Sequence, residues 1–167
     1  GEDNTKLEVQ ELSIENTKIA SQSFSKKSNE VITKEIKNNM NFGLKMHEAL
    51  ELIDFKEPNF SLIDDIFIKN KITKFLNLPL LSNIKEAKVF KEYEFMYLNN
   101  EEEYHGIIDL MIEYDNHIDI IDYKLSNVLD EGYIEQLNGY KNYISTLTNK
   151  PINLYLYSII KEEITPI

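Results

Sequence analysis

No cysteine occurs anywhere in the 167 residues. That excludes disulfides, thiolate zinc sites and any cysteine-held iron–sulfur cluster, and it makes the reducing cytoplasm the expected location. Long hydrophobic runs are missing too. The apolar stretches last only a few residues, too short to span a bilayer, and no secretory leader pattern is visible. No membrane partner is therefore expected. A Gly-x-x-x-x-Gly-Lys-Ser/Thr loop is also lacking, so the chain cannot itself be an ATP-driven motor of that type. Positive charge is scarce: 18 basic residues face 29 acidic ones, a net charge of −11. A free-standing nucleic-acid binder normally carries a basic patch. The deficit argues against that class unless a basic partner delivers the nucleic acid or bound cations cancel local carboxylate charge. The chain opens on Gly1 rather than Met, and it is expected to be a piece cut from something longer.

What is present suits one domain with a sizeable core: 167 residues, 42% of them hydrophobic. Residues 1–40 are polar and mixed in charge, with a Ser/Lys-rich stretch at Ser21–Ser28. They read as a linker or arm, with a short helix near Val31 to Ile36. Met46, Leu50 and Ile53 recur at helical spacing, with His47, Glu51 and Asp54 on the adjoining stripe. Pro58 interrupts that helix. Ser61 with Asp64 resembles a capping box opening a second helix, whose expected buried face is Leu62, Ile63, Ile66, Phe67 and Phe75, with Pro79 past its end. The period then changes. Three runs at about Ala87–Leu98, Tyr104–Tyr114 and His117–Tyr123, rich in Val, Ile, Phe and Tyr, read as strands. A helix over Glu131–Leu147 follows, with Tyr133, Leu137, Tyr140, Ile144 and Leu147 on one face, then a strand Ile152–Ile159. The expected architecture is α/β, a central mixed sheet flanked by helices.

Register concentrates the acids. If Asp115-Asn116 is the two-residue turn between the second and third strands, Tyr114 opposes His117 and, counting back, Asp109 opposes Asp122. If the turn before lies at Asn100-Glu101, Leu98 opposes Glu103 and Glu92 opposes Asp109. Glu92, Asp109 and Asp122 then form one row across three strands, and Lys124 shares the face of Asp122. Opposed carboxylates destabilise a sheet unless something compensates them, and a hard divalent cation with oxygen ligands does so. The competing reading is a turn one residue different, which sends the acids alternately into solvent. An acid row with Lys124 suits phosphodiester hydrolysis: the cation activates water and steadies oxyanion charge, and the lysine adds a point charge near the nucleophile or the phosphate.

At these residues the chain resembles a known family. Gly106-Ile107-Ile108-Asp109 followed by Ile121-Asp122-Tyr123-Lys124 looks like the nuclease domain at the C-terminus of RecB and AddA, of the PD-(D/E)XK superfamily, with Ile108 where Pro is usual. Phe42–Glu51 looks like the family's Gly-Thr-x-x-His helix, with Leu44 in place of Thr. Lys91-Glu92-Tyr93-Glu94-Phe95 looks like its Arg-Glu-x-Pro-Phe strand, with Lys and Glu replacing Arg and Pro. Tyr133–Tyr140 looks like its Tyr-x-x-Gln-Leu-x-x-Tyr helix. The likeness covers about residues 42–160, and its specificity lies in the joint order, with twelve residues between Asp109 and Asp122. It implies a restriction-endonuclease-like fold over 41–167. The implied catalytic residues are Asp109, Asp122, Lys124, Glu92, Gln136 and Tyr140. Mg²⁺, with Mn²⁺ as a substitute, would bind His47, Asp109, Asp122 and the Tyr123 backbone carbonyl. The implied activity is exonucleolytic cutting of single-stranded DNA, with a helicase motor in the same parent chain and a partner subunit. The missing cysteines set it apart from cousins that carry an iron–sulfur cluster.

Two other classes compete. One is an inactive nuclease fold that only binds DNA or a partner subunit. The other is an unrelated carboxylate-rich cation binder, which would gain nothing from the ammonium of Lys124. His105 and His117 read as turn-flanking residues, Asp64-Asp65 and Glu101–Glu103 as solvated faces, and Tyr143, Tyr155 and Tyr157 as core.

Overall fold

The computed structural model describes residues 34–126 and 130–167; the arm at 1–33 lies outside the described residues. Helix α1, Lys34–Leu52, runs straight through residue 40, where the sequence suggested the arm would end. It buries Met46, Ala49 and Leu50 on one stripe, continued by Ile53 just past its end. Its last carbonyls find an unusual partner. The Lys91 ammonium donates to the main-chain oxygens of Leu50 and Glu51 at 3.3 and 2.8 Å and also to that of Ile53. It thus satisfies acceptors that a helix end leaves open, and it places a cation where the helix dipole favours one.

Helix α2, Ile66–Leu76, is capped by Asp65, whose carboxylate accepts from the Phe67 and Ile68 amides. This corrects the expected Ser61/Asp64 box, and it gives Asp65 a local role that a solvated face would not have. Because the helix starts at Ile66, its buried face is Ile68, Ile72 and Phe75, spaced four and three. Of the expected face, Ile63 and Phe75 are buried, but Leu62, Ile66 and Phe67 are exposed.

Two 3-10 turns, Pro79–Leu81 and Ile84–Glu86, lead into the sheet. Its strands are β1 Lys88–Asn99, β2 Glu102–Glu113, β3 Ile118–Lys124, β4 Ile152–Ser158 and β5 Glu163–Pro166, in spatial order β1-β2-β3-β4-β5. Strands β3 and β4 are parallel, joined across helix α3, Glu131–Ile144; the other pairs are antiparallel. Helix α3 stops three residues short of the expected end, so Leu147 lies beyond it and is exposed. Strand β5 was not anticipated; four residues, Glu-Ile-Thr-Pro, carry no readable alternation.

Both hairpin registers match the sequence reading. Asn100 and Glu101 have φ of 54° and 68°, consecutive left-handed residues suited to a two-residue turn between Asn99 and Glu102. At the next hairpin the Tyr114 amide donates to the His117 carbonyl at 2.8 Å, and Leu110 pairs with Ile121. Gly106 lets Phe95 lie against bare backbone, since a Cβ there would stand 2.4 Å from the ring.

Helices cover both faces. On one, α1 and α2 pack against Leu110, Ile112, Ile121, Tyr123 and Tyr157. On the other, Leu137, Tyr140 and Ile144 of α3 pack against Phe95, Ile108, Met111, Ile118 and Ile120. Every residue of β3 is buried, as a strand covered on both sides requires. Of the three tyrosines read as core, Tyr157 is fully buried, while Tyr143 and Tyr155 are half-buried. The result is α/β, a five-stranded mixed sheet flanked by helices, compatible with a restriction-endonuclease-like fold.

Candidate metal centre

The first half of the site forms where β1 and β2 both change face. Pairing runs from Lys88–Glu113 to Lys91–Leu110 and resumes at Tyr93–Ile108, skipping Glu92 and Asp109. Glu92 has φ of 53°, a left-handed conformation that costs a non-glycine residue about 1–2 kcal/mol. Next to it, Ile108 packs on the α3 side while Leu110 packs on the α1–α2 side, so strict alternation breaks at Asp109. The kink turns the Glu92 carboxylate towards α1, where its Oε2 lies 3.3 Å from His47 Nε2. Lys91, anchored on the end of α1, holds the strand against that helix. Burial pushes the Lys91 ammonium pKa down, with Asp54 and Glu51 opposing.

His47, Glu92 and Asp109 each bring one ligand atom into a group whose members lie within 4.8 Å of one another. His47 and Glu92 are partly buried and Asp109 is fully buried. Leu50, Glu51, Lys91 and Tyr123 complete the walls of this narrow cleft. Asp109 is oriented by its neighbour strand: its Oδ2 accepts from the Tyr123 amide at 2.9 Å. That contact lies past the last regular β2–β3 pair, Leu110 with Ile121, so a carboxylate receives the amide at the end of the ladder.

The second half lies on β3. Ile118 and Ile120 face α3, and Ile121 and Tyr123 face α1–α2. Alternation therefore puts Asp122 and Lys124 on the α3 side. Both are buried to 2% exposure or less. Lys124 Nζ is 3.1 Å from Asp122 Oδ2 and 3.9 Å from the centre of the Tyr133 ring. Neither Asp122 oxygen receives a well-formed hydrogen bond from the described residues, although both are out of solvent. Such acceptors are costly to leave unmet. Burial pushes the Tyr123 hydroxyl pKa well up, and the charges of Asp109, Glu92 and Asp122 push the same way.

Of the residues singled out in the sequence, His47, Glu92 and Asp109 are thus brought together, and Asp122 and Lys124 form an adjacent pair joined to them through Tyr123. The three-acid row is realised in its Glu92–Asp109 part. Asp122 is not a member of the His47 group, because it faces α3. Gln136 is half-buried on α3, one turn before Tyr140. Tyr140 is buried and meets Phe95 edge-to-face at 5.6 Å.

Three neighbours escaped the sequence reading as parts of the site. Glu51 Oε1 lies 3.1 Å from His47 Nε2, a pairing that the i, i+4 spacing on one helical stripe already signalled. Lys91 acts on the end of α1, some forty residues away, and the ring of Tyr133 meets Lys124 only through the way α3 packs back on β3, which no local pattern reveals.

No protein-family model matches the chain. Among curated proteins, it is 26% identical over 190 residues to an ATP-dependent helicase/nuclease subunit of Staphylococcus epidermidis, an alignment covering 87% of this chain and 15% of that protein. It is 32% identical over 94 residues to a protein of the same description from Clostridium beijerinckii, covering 52% of this chain and 8% of that one. The chain therefore spans less than one sixth of the length of either relative, and its similarity is to a part of these helicase/nuclease proteins.

Proposed function

We propose that the chain is a divalent-metal-dependent DNA nuclease module of the PD-(D/E)XK type, the nuclease part of a recombination helicase–nuclease. The observation that carries this reading is the convergence of His47, Glu92 and Asp109 within 4.8 Å, beside the buried Asp122–Lys124 pair. The names of the two relatives support it. In this reading residues 41–167 are the nuclease domain, 1–40 is an arm, and the substrate is single-stranded DNA fed by a motor in the parent protein.

The donor set fits a divalent cation. One imidazole nitrogen and two carboxylates converge, and the Asp122 carboxylate, paired with Lys124 at 3.1 Å, lies on the adjoining strand. Carboxylates suit Mg²⁺ and Mn²⁺, and the imidazole tilts the set towards Mn²⁺. His47, Glu92 and Asp109 would hold the ion, while Asp122 and the Tyr123 main-chain oxygen, the ligands the resemblance also implies, lie on the adjoining strand β3. When bound, the ion would acidify a water and offset charge on the phosphate.

The chain's own residues do the rest. The Tyr123 amide fixes the Asp109 carboxylate. Glu92 lies within ion-pair distance of His47 and orients its imidazole. Lys124 is a buried cation near the reacting phosphate, and its charge acts strongly there because water is excluded. Gln136, half-buried on α3, would contact the substrate, with Tyr140 buried one turn further along against Phe95.

The test is cleavage of end-labelled single-stranded DNA by the 167-residue chain with Mg²⁺ or Mn²⁺, against EDTA and Asp122→Asn controls, with circular dichroism to monitor the fold. Metal-dependent cutting abolished in both controls is the expected result. Cutting that persists in EDTA or in the folded variant would overturn the proposed centre. Metal binding without any cutting would support the inactive scaffold instead.

A further inference from the structure

We propose that Tyr133 is a positioning residue for Lys124, holding its ammonium in place through the face of the phenol ring. This rests on the nuclease reading above for its catalytic consequence, though not for the contact itself. Lys124 is among the largest fully buried side chains of the protein, 2% exposed. A buried ammonium needs compensation from every side. One compensating group is the Asp122 carboxylate, 3.1 Å away. Another is the ring of Tyr133, whose centre lies 3.9 Å from Nζ, well inside the distance at which an aromatic face attracts a cation.

The placement is specific. Tyr133 stands in the first turn of α3, a helix begun by Asp130, whose carboxylate accepts from the Gly132 amide at 2.7 Å. The cap thus fixes where the ring lands. Leu137, Tyr140 and Ile144 seat the same helix in the core against β1–β4, so the ring is carried on a rigid element. Lys124, at the end of β3, is flexible in principle, with a long four-carbon stem. Clamped between a carboxylate on its own strand and a ring from α3, its Nζ has little room to wander. Mispositioning a catalytic group by about 1 Å costs on the order of a hundredfold in rate. The ring face does this work, and the hydroxyl is not needed for it.

The test compares Tyr133→Leu and Tyr133→Phe in the 167-residue chain. One readout is kinetic. Tyr133→Leu is expected to lower kcat for single-stranded DNA at least about tenfold, with KM little changed, and Tyr133→Phe to restore it to within about twofold. The second is independent of activity. Ammonium and Cε resonances of Lys124, followed by NMR, should be shifted upfield by the ring in the wild type and in Tyr133→Phe, and should move to ordinary lysine positions in Tyr133→Leu. Equal kcat in Tyr133→Leu, or failure of Phe to rescue, would overturn the positioning role. A faster Tyr133→Leu enzyme would overturn it too, by making the ring an obstruction. Ordinary lysine shifts in the wild type would remove the contact altogether. A wild-type chain that shows the shift, lost only in Tyr133→Leu, yet never cuts would uphold the hold on Lys124 and defeat the nuclease reading instead.

Discussion

Two residues of the proposed centre, His47 and Lys124, can be tested separately. In the proposed centre His47 would contribute a nitrogen donor from a helix, while the carboxylates of Glu92 and Asp109 would come from strands. Removing it should weaken cation binding without removing the carboxylates. His47→Ala is expected to raise the Mn²⁺ concentration for half-maximal cutting by about ten- to a hundredfold, in line with the loss of one metal-supporting group. A titration curve superimposable on the wild type would take His47 out of the site. Lys124 is the other. Deleting one member of a buried ion pair strands the other charge, which typically costs about 3–5 kcal/mol. Lys124→Met should therefore lower the unfolding free energy by about 3 kcal/mol in urea titrations, and Asp122→Leu combined with it should recover most of that loss. A single variant as stable as the wild type would show that Asp122 is not held by Lys124.

At the scale of elements, the kink in β1 is the feature that converts a regular sheet into a site. Glu92 sits at φ 53° inside a twelve-residue strand, and its carboxylate meets His47 only because of that turn. Strain of this kind persists where surrounding contacts impose it. Here those contacts are Lys91 on the end of α1 and the regular pairing on either side. Glycine adopts this conformation freely. Glu92→Gly is thus expected to keep or raise thermal stability, worth up to about 1 kcal/mol, while nuclease activity falls. A clear loss of stability would mean that the His47 contact outweighs the backbone strain.

The whole molecule is an acidic protein proposed to work on a polyanion. Its basic residues are all lysines; the sequence contains no arginine, and so lacks the planar fork that grips phosphates bidentately. A net charge of −11 works against the approach of a polyanion, and cations bound at the carboxylates would offset it locally. Ions that bind only the folded chain stabilise it by mass action, by about 2.7 kcal/mol at a hundredfold excess over Kd. Millimolar Mn²⁺ is expected to raise Tm by several degrees for a domain of this size. Sodium chloride of equal ionic strength should not. Identical shifts from both salts would argue for general screening of the acidic surface rather than a built centre. Among the described residues no helix is long and apolar enough to cross a membrane.

Much of this was legible in the residues themselves. Periodicity located three helices and the four longer strands, though not β5, and the two turns, Asn100-Glu101 and Asp115-Asn116, set the registers of both hairpins, although regular pairing skips Glu92 and Asp109 and stops at Leu110–Ile121, short of Asp122. Local chemistry sufficed there, because side-chain alternation and turn residues act over a few positions. The second helix was misread for a related reason: its cap is Asp65, and a start displaced by a few residues rotates the whole buried face. What the tertiary structure alone decided is the division of the acids. A change of face at Glu92 and Asp109 sends those carboxylates to His47, while the unbroken alternation of β3 sends Asp122 to Lys124 and the ring of Tyr133. That choice depends on Lys91 reaching the end of α1 and on α3 covering the other face, contacts between segments some forty residues apart in one case and across a crossover helix in the other. Short-range pattern cannot encode them, since their energy comes from burial and pairing that exist only once the sheet has assembled.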